Sequence, residues 1–509
     1  MTGGPVSRSS GSKPGFYPMA RYRCSTGEYY LLPFKFHRIN DEREVLVNEV
    51  GDFVISPIGT AEKIIMKRLD RSADRSPYED LVAGFFISED KIPALIDVYA
   101  TRYRTKKSFL DRFTALHIFV ITLRCDQSCQ YCQVSRVSQE ENSFDMSTQH
   151  IDRGIDFMMR SPNPSVTMEF QGGEPLLAFP KVRYAVERTK ELAARYGKTV
   201  TYVLCTNLAL IDDAILDYCK ENDILVSTSL DGPAFVHNHN RRRPGNDSYE
   251  LTIKGIGRAR EALGNDRVSA LMTTSPFSLQ YPLEIVDEYF NRGFMDIFLR
   301  PISPYGYAAR NSLQQQFETE KFLKFYKIAL SRILEHNTQR VFIEDYTKII
   351  LEKILTPFPI GYVDLQSPAG VINNVIVFNY DGNVYASDES RMLAEMGDST
   401  FRLGSLDQNT YEEIFYGAKA QEIALNWSTE SLAGCSECAF QAYCGADPVR
   451  YHATQGDMYG FRPSSAHCVK NMEIIRYLFE LMDKDKETRR IFQNWVAAPK
   501  TGNPNAIAG

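Results

Sequence analysis

Seven of the ten cysteines stand in two tight groups, Cys125, Cys129 and Cys132, then Cys435, Cys438, Cys444 and Cys468. Thiols gathered so closely in a chain without an export signal point to metal ligation before packing or disulfides. The first group has the spacing C-x3-C-x2-C, so three thiolates can converge on one centre from a single loop. A structural zinc ion takes four ligands and no fourth stands nearby. A 4Fe–4S cluster held by three cysteines leaves one iron open to another ligand. The second group, C-x2-C-x5-C with Cys468 a further 24 residues on, suits a closed zinc site or a fully ligated 4Fe–4S cluster, and spacing leaves both open. Cys24, Cys205 and Cys219 read as small packing thiols.

The elements that must position these groups are bounded by composition. A chain of 509 residues with 43% apolar and 24% charged residues is folded and holds two or three domains. Its formal charge of −6 argues against a nucleic-acid binder, which needs a basic surface. No apolar run approaches a membrane span. Residues 1–15 lack the apolar stretch of a secretory signal and read as a flexible tail. The expected compartment is the reducing cytoplasm.

Residues 16–113 read as a small β-then-α domain, with two or three strands over 29–56 and helices from Thr60 and after Ser88, the latter carrying Ile92, Leu95, Ile96 and Tyr99. From 114 to 309, strand patterns (116–123, 165–170, 199–205, 224–230, 267–273, 295–300) alternate with helical ones (147–160, 181–196, 211–222, 248–263, 281–292). In the first helix Ile151, Ile155, Met158 and Met159 share a face behind the cap Ser147. The alternation predicts an α/β fold, a partial (β/α)6 TIM-like barrel with parallel strands. A helical connector (310–365, with helices over 313–336 and 343–355) follows. The region 366–495 opens with a hairpin around Asp381-Gly382 and ends with a helix over 469–482, leaving 496–509 as a tail.

Parallel strands deliver their C-terminal ends to one site. Strand two runs into Gln171, Gly172, Gly173, Glu174 and Pro175; paired glycines let a backbone approach a ligand, or simply make a turn. Strand three ends in Cys205, Thr206 and Asn207. Strand four ends in Ser229, Leu230, Asp231, Gly232 and Pro233, followed by His237 and Arg241. Asp231-Gly-Pro is also turn chemistry, and Arg241 to Arg243 could be a solvated basic run. Arg300, at the end of strand six, could face substrate or pair with a carboxylate.

The first cysteine loop, with Tyr131 before its last cysteine, resembles the signature of the radical S-adenosylmethionine (SAM) superfamily. That resemblance implies a 4Fe–4S cluster on Cys125, Cys129 and Cys132 whose open iron is chelated by the amino and carboxylate groups of SAM. Gly172-Gly173-Glu174-Pro175 resembles the family's GGEP element, and Asn207, Ser229 and Arg241 fall at its ribose and carboxylate contacts. Tyr131, Gly172, Gly173, Glu174, Asn207, Ser229 and Arg241 are therefore the implied cofactor-binding residues. The second cysteine group resembles the SPASM iron–sulfur extension of radical SAM peptide-modifying enzymes, which usually carries two auxiliary clusters. Two-cluster members have cysteines where this chain has Ser367, Ser387 and Pro448, which implies one auxiliary cluster and two 4Fe–4S clusters in all. Asp388 stands where sulfatase-maturing relatives place a catalytic base; a hydrogen-bonding loop aspartate is the other reading.

The runs 268–274, 284–289 and 298–306 and the hairpin 379–388 are similar to the B-type maturase of the His-Xaa-Ser repeat peptide system. The resemblance implies that reductive SAM cleavage yields a 5′-deoxyadenosyl radical, which takes a hydrogen from a ribosomally made precursor peptide and leads to an oxidative side-chain cross-link. The implied partners are that peptide, a second radical SAM maturase of the same system, and an electron donor such as flavodoxin or ferredoxin. The N-terminal domain would bind a leader strand by β-augmentation or serve as a plain cap. Two rivals stand beside this reading: a sulfatase-type formylglycine maturase, and a non-catalytic iron–sulfur adapter for a partner maturase.

Overall fold

The computed structural model describes residues 29–89, 93–133, 135–310, 318–361 and 363–498. The N-terminal tail, Cys24 and Ile92 lie outside the described residues.

Strands β1 (Phe34–Arg38), β2 (Arg43–Asn48) and β3 (Phe53–Pro57) form an antiparallel meander. Alternation along β2 sends Leu46 to one face, into a small core with Ile64, Tyr78, Leu81 and Phe86. Val45 and Val47 go to the other, into the main core. Helices α1 (Thr60–Ile65), α2 (Arg75–Ala83) and α3 (Pro93–Lys106) follow. The sequence reading missed α2, in which only Tyr78 and Leu81 are buried. This unit is docked on the C-terminal part of the chain, with the Phe53 and Phe479 rings 5.1 Å apart and the Tyr443 hydroxyl donating to the Gly51 carbonyl at 3.0 Å.

The barrel runs through β4 (Leu116–Thr122), α4 (Thr148–Arg160), β5 (Ser165–Gly172), α5 (Phe179–Tyr196), β6 (Thr199–Cys205), α6 (Asp213–Glu221), β7 (Ile224–Ser229), α7 (Ala234–Asn240), α8 (Ser248–Leu263), β8 (Val268–Leu271) and α9 (Pro282–Asn291). Ser147 caps α4 as expected, accepting from the His150 amide at 3.1 Å. Every residue of β4 is buried, as a parallel strand covered on both faces requires. The sheet continues through β9 (Val375–Phe378), β10 (Asn383–Tyr385) and β11 (Arg402–Ser405), giving eight strands in the order β8-β7-β6-β5-β4-β9-β10-β11. β9 runs parallel to β4, and β10 and β11 are antiparallel. The C-terminal hairpin thus extends the barrel sheet on the far side of its first strand.

The α/β partial barrel holds, but the sixth unit departs from expectation. Only Asp296–Ile297 is extended there, and it pairs with Ile343–Glu344 rather than with β8. The cause lies in a later segment: the Leu299 amide donates to the Glu344 carboxylate at 3.1 Å instead of to a strand, and Pro301 has no amide to offer. One bridge, Thr274 to Pro301, keeps this segment beside the end of β8.

After the barrel come α10 (Thr319–His336), α11 (Asp345–Leu355), α12 (Asp388–Ala394), α13 (Pro448–Gln455), α14 (Ala466–Lys484) and α15 (Lys486–Ala497). The expected start of α10 at 313 lies outside the described residues. α15 was not anticipated. Asp485 caps it, accepting from Glu487 and Thr488, and its buried Trp495 donates to Asn337 at 3.0 Å. Among the described residues no helix is long and apolar enough to cross a membrane.

Candidate active site

Cys125, Cys129 and Cys132 lie in the loop after β4, and three neighbouring segments hold that loop. Ser128 and Cys129 pair antiparallel with Arg242 and Arg241. The Gln130 amide donates to Asn240 at 3.1 Å, and Cys132 accepts from the Tyr307 amide at 2.8 Å through its carbonyl. The third anchor is the GGEP segment. The Gly173 amide donates to Thr122 at 2.7 Å and the Glu174 amide to Arg124 at 2.6 Å. A Cβ on Gly172, whose φ is +149°, would stand 2.0 Å from the Thr122 oxygen, and one on Gly173 would stand 2.2 Å from the Arg124 oxygen. The first demand on these glycines is thus close approach to the cysteine loop itself.

The three cysteines open onto a cavity of about 230 Å3 at the C-terminal ends of the strands. Its wall also carries Tyr131, Gly172, Gly173, Asn207, Ser229, Arg241 and Asp388. Of the sequence-derived cofactor residues, Glu174 alone is not on the wall. It is 0% exposed and accepts from Leu176, Thr206 and Asn207 at 3.0, 2.7 and 2.8 Å. Burial pushes its carboxyl up to about 7 against those donors. Glu174 therefore ties strand two to strand three from behind the cavity wall.

Charged groups around the loop are mutually paired. Tyr131 donates to Asp231 at 2.5 Å, and Arg241 pairs with the same carboxylate at 3.2 Å. Within the stretch Arg241 to Arg243 only Arg242 is thus a solvated arginine. Arg243 reaches Asp126 at 3.1 Å, and the Asn207 amide donates to Asp126 at 2.7 Å. His237 accepts from the Asp231 amide at 3.3 Å, and burial pulls it down to about 4, so it is a neutral brace. Burial and neighbouring acidic groups push the Cys125 thiol up, and burial, only partly opposed by Arg241, takes Cys129 up to about 12. Such thiols become ligands when a metal centre supplies positive charge.

Asp388 begins α12, capped by Ser387, and Arg391 stands 3.3 Å from its carboxylate. The wall also carries Glu169, Gln171, Cys205 and Thr273, none of them expected at the site. Gln171 donates to Glu169 at 2.5 Å. Burial pushes the Glu169 carboxyl up, with Asp388 and Cys205 among the groups acting on it. Cys219 is a buried packing thiol as read, whereas Cys205 faces the cavity. A glutamate between Met168 and Phe170 in a buried parallel strand was the available signal for Glu169. Cys205 had none beyond its place at a strand end. Arg300 also lies on this wall.

The second cysteine set gathers around α14. Cys468 feels Cys444, Cys438 and Cys435 as neighbours, and burial takes it up to about 12. Arg462 donates from Nε to the Cys435 sulfur at 2.9 Å, while its Nη2 is buried without a hydrogen-bond partner. Lys353 donates to the Cys444 carbonyl at 3.1 Å. Among the described residues no three His, Cys, Asp or Glu side chains are gathered closely enough to hold a single metal ion. A 4Fe–4S cluster on these four thiols would give the buried Arg462 Nη2 an acceptor in its sulfides. Ser387 and Pro448 serve instead as helix cap and first helical residue, and Ser367 bonds to Glu430 and Thr429.

Residues 119–288, which hold the cysteine loop and most of the barrel, match the profile of the Radical SAM superfamily, and three thiols with a glycine cradle on one cavity fit the SAM-binding cluster that this family implies. Among individual relatives, the chain is 25% identical over 332 residues to the cysteine-type anaerobic sulfatase-maturating enzyme of Clostridium perfringens strain 13, covering 63% of this chain and 84% of that one. The structure of native anSMEcpe with bound AdoMet and Cp18Cys peptide superposes with a TM-score of 0.60 at 19% identity, covering 75% of this chain and 99% of that one. That of Streptococcus suis SuiB bound to precursor peptide SuiA gives 0.50 at 13% identity, covering 87% and 99%.

Proposed function

We propose that this chain is a radical SAM peptide maturase that forms an oxidative side-chain cross-link in a ribosomally made precursor peptide of the His-Xaa-Ser type. The observation that carries this reading is the meeting of Cys125, Cys129 and Cys132 with Asp388, brought from some 260 residues away by β9 and β10, on one cavity. When bound, a reduced 4Fe–4S cluster with SAM supplies a 5′-deoxyadenosyl radical at this cavity, and an auxiliary cluster on Cys435, Cys438, Cys444 and Cys468 supplies an acceptor for the surplus electron. The chain does the rest. Cys125, Cys129 and Cys132 hold the first cluster, and Gly172, Gly173, Asn207, Ser229 and Arg241 line the place for SAM. Asp388 takes the proton released as the substrate is oxidised, and Glu169, Gln171 and Arg300 give the substrate side of the cavity polar walls. Solved relatives bound to peptides support a peptide substrate.

The N-terminal meander fits leader recognition. Among the described residues β1 pairs only with β2, and its Phe36 is 51% exposed, so an added strand would have both an edge and an apolar anchor.

The test is anaerobic co-expression with a His-Xaa-Ser precursor peptide, followed by high-resolution mass spectrometry. A loss of two hydrogens localised to a pair of residues is the expected product. An unmodified precursor, with a sulfatase peptide converted to formylglycine by the same preparation, would transfer the chain to the sulfatase-maturing reaction. Failure to cleave SAM to 5′-deoxyadenosine under reducing conditions would leave only an adapter role.

A further inference from the structure

The two cysteine sets sit in different electrostatic surroundings. Around the first, the carboxylates of Asp126 and Asp231, with Asp126 3.9 Å from the Cys125 sulfur, are balanced by their partners Arg243 and Arg241. Around the second, the charged side chains that bear most on the thiols are cations: Lys35 near Cys438, Lys353 near Cys444, and Arg462 near Cys435 and Cys468. Arg462 is the closest and is 7% exposed. Its Nη1 donates to the Tyr459 carbonyl at 2.7 Å, and its guanidinium lies 4.4 Å from the centre of the Tyr451 ring. Those contacts aim Nε at the Cys435 sulfur and leave Nη2 buried without a partner.

Reduction potentials of iron–sulfur clusters follow local charge and hydrogen bonds to sulfur. Adding an electron to a cluster makes it more negative, so a fixed cation hydrogen-bonded to a ligand sulfur favours the reduced state. Nearby carboxylates favour the oxidised one. An arginine keeps its charge at any working pH.

We propose that Arg462 is a redox-positioning residue that raises the potential of the cluster on Cys435, Cys438, Cys444 and Cys468 above that of the SAM-binding cluster, making the second site the electron sink. The inference rests on the two-cluster reading above. The couple it concerns takes up one electron and no proton. The order of potentials matches the two tasks, because the first cluster must be reducing enough to cleave a sulfonium and the second must accept an electron from an oxidised substrate.

The experiment isolates the second site in a chain carrying Cys125→Ala, Cys129→Ala and Cys132→Ala, reconstituted anaerobically and titrated with a redox dye series under EPR. Replacing Arg462 with Ala should lower the midpoint so that the reduced-to-oxidised ratio at fixed potential falls at least tenfold, or 59 mV for one electron. Arg462→Lys should recover most of that shift and Arg462→Gln little of it. Equal midpoints in the arginine, lysine and glutamine forms, each holding four irons, overturn the proposal and leave the cluster assignment intact. Failure of the triple-alanine chain to hold any iron–sulfur cluster overturns both, and zinc in its place identifies the alternative centre. Where Arg462→Ala loses iron, the lysine and glutamine pair decides.

Discussion

Tyr131 and Arg241 meet on one carboxylate: the Tyr131 hydroxyl lies 2.5 Å from one oxygen of Asp231, and the Arg241 Nε lies 3.2 Å from the other. One belongs to the cysteine loop and the other to the segment after α7. Asp231, at the end of strand four, therefore locks the loop onto the barrel rim. Replacing Asp231 with Ala would leave a buried guanidinium and a buried hydroxyl unpaired, a loss of about 3–5 kcal/mol. Urea unfolding of the metal-free protein should show it. Asp231→Asn, which keeps an acceptor, should lose less.

Gly173→Ala tests the close approach of the GGEP segment. The added methyl would stand 2.2 and 2.5 Å from the Arg124 and Leu123 oxygens, backbone atoms that cannot swing aside. An overpacking cost of up to about 3 kcal/mol is expected, together with loss of the absorbance of the first cluster after reconstitution. Retention of normal iron with unchanged stability would show that the loop yields freely.

Glu174 predicts a pH dependence. Burial raises its folded carboxyl to about 7 from the ordinary 4.5, so between those values the folded state keeps a proton that the unfolded state has lost. Its contribution to stability is then complete below about 4.5 and is lost as pH rises towards 7. Glu174→Gln cannot titrate, so the difference in unfolding free energy between variant and parent should shift in favour of the variant from pH 4.5 to 7. A constant difference across that window would mean the carboxylate ionises normally.

Asp388→Asn should abolish cross-linked product while SAM cleavage continues, because the proton acceptor is removed and the cysteine loop is untouched. Loss of both activities would instead indicate a structural role for the ion pair with Arg391.

Two cubanes predict about eight irons per anaerobically purified chain. A value near twelve would require ligands other than the seven clustered cysteines. Removing Cys435 and Cys438 together should bring the content to about four and preserve reductive cleavage of SAM.

Particular residues show what could be read from the chain and why the rest could not. The three-cysteine loop was visible because its ligands lie within eight residues. The barrel was visible because parallel strands and amphipathic helices repeat two periods in alternation. α4 and its Ser147 cap follow directly from those rules. α2 was missed because only Tyr78 and Leu81 are buried in it, which weakens the apolar period; α15 does carry a readable stripe, Thr488, Phe492 and Trp495 at helical spacing behind Asp485. The sixth strand failed because a side chain from a distant segment, Glu344, takes the Leu299 amide.

Local spacing and period thus determined the two cysteine groupings and the strand–helix alternation. Tertiary structure decided what those groups face. It put Asp388 and Cys205 on the wall beside the cysteine loop, moved Glu174 behind that wall, and set Arg462 against Cys435. It also joined the C-terminal hairpin to β4. These relationships depend on strand order and on pairing between segments tens to hundreds of residues apart. Neither leaves a periodic trace in the chain, because a hydrogen bond or an ion pair between distant segments is specified by the packing of whole elements and not by the residues flanking either partner.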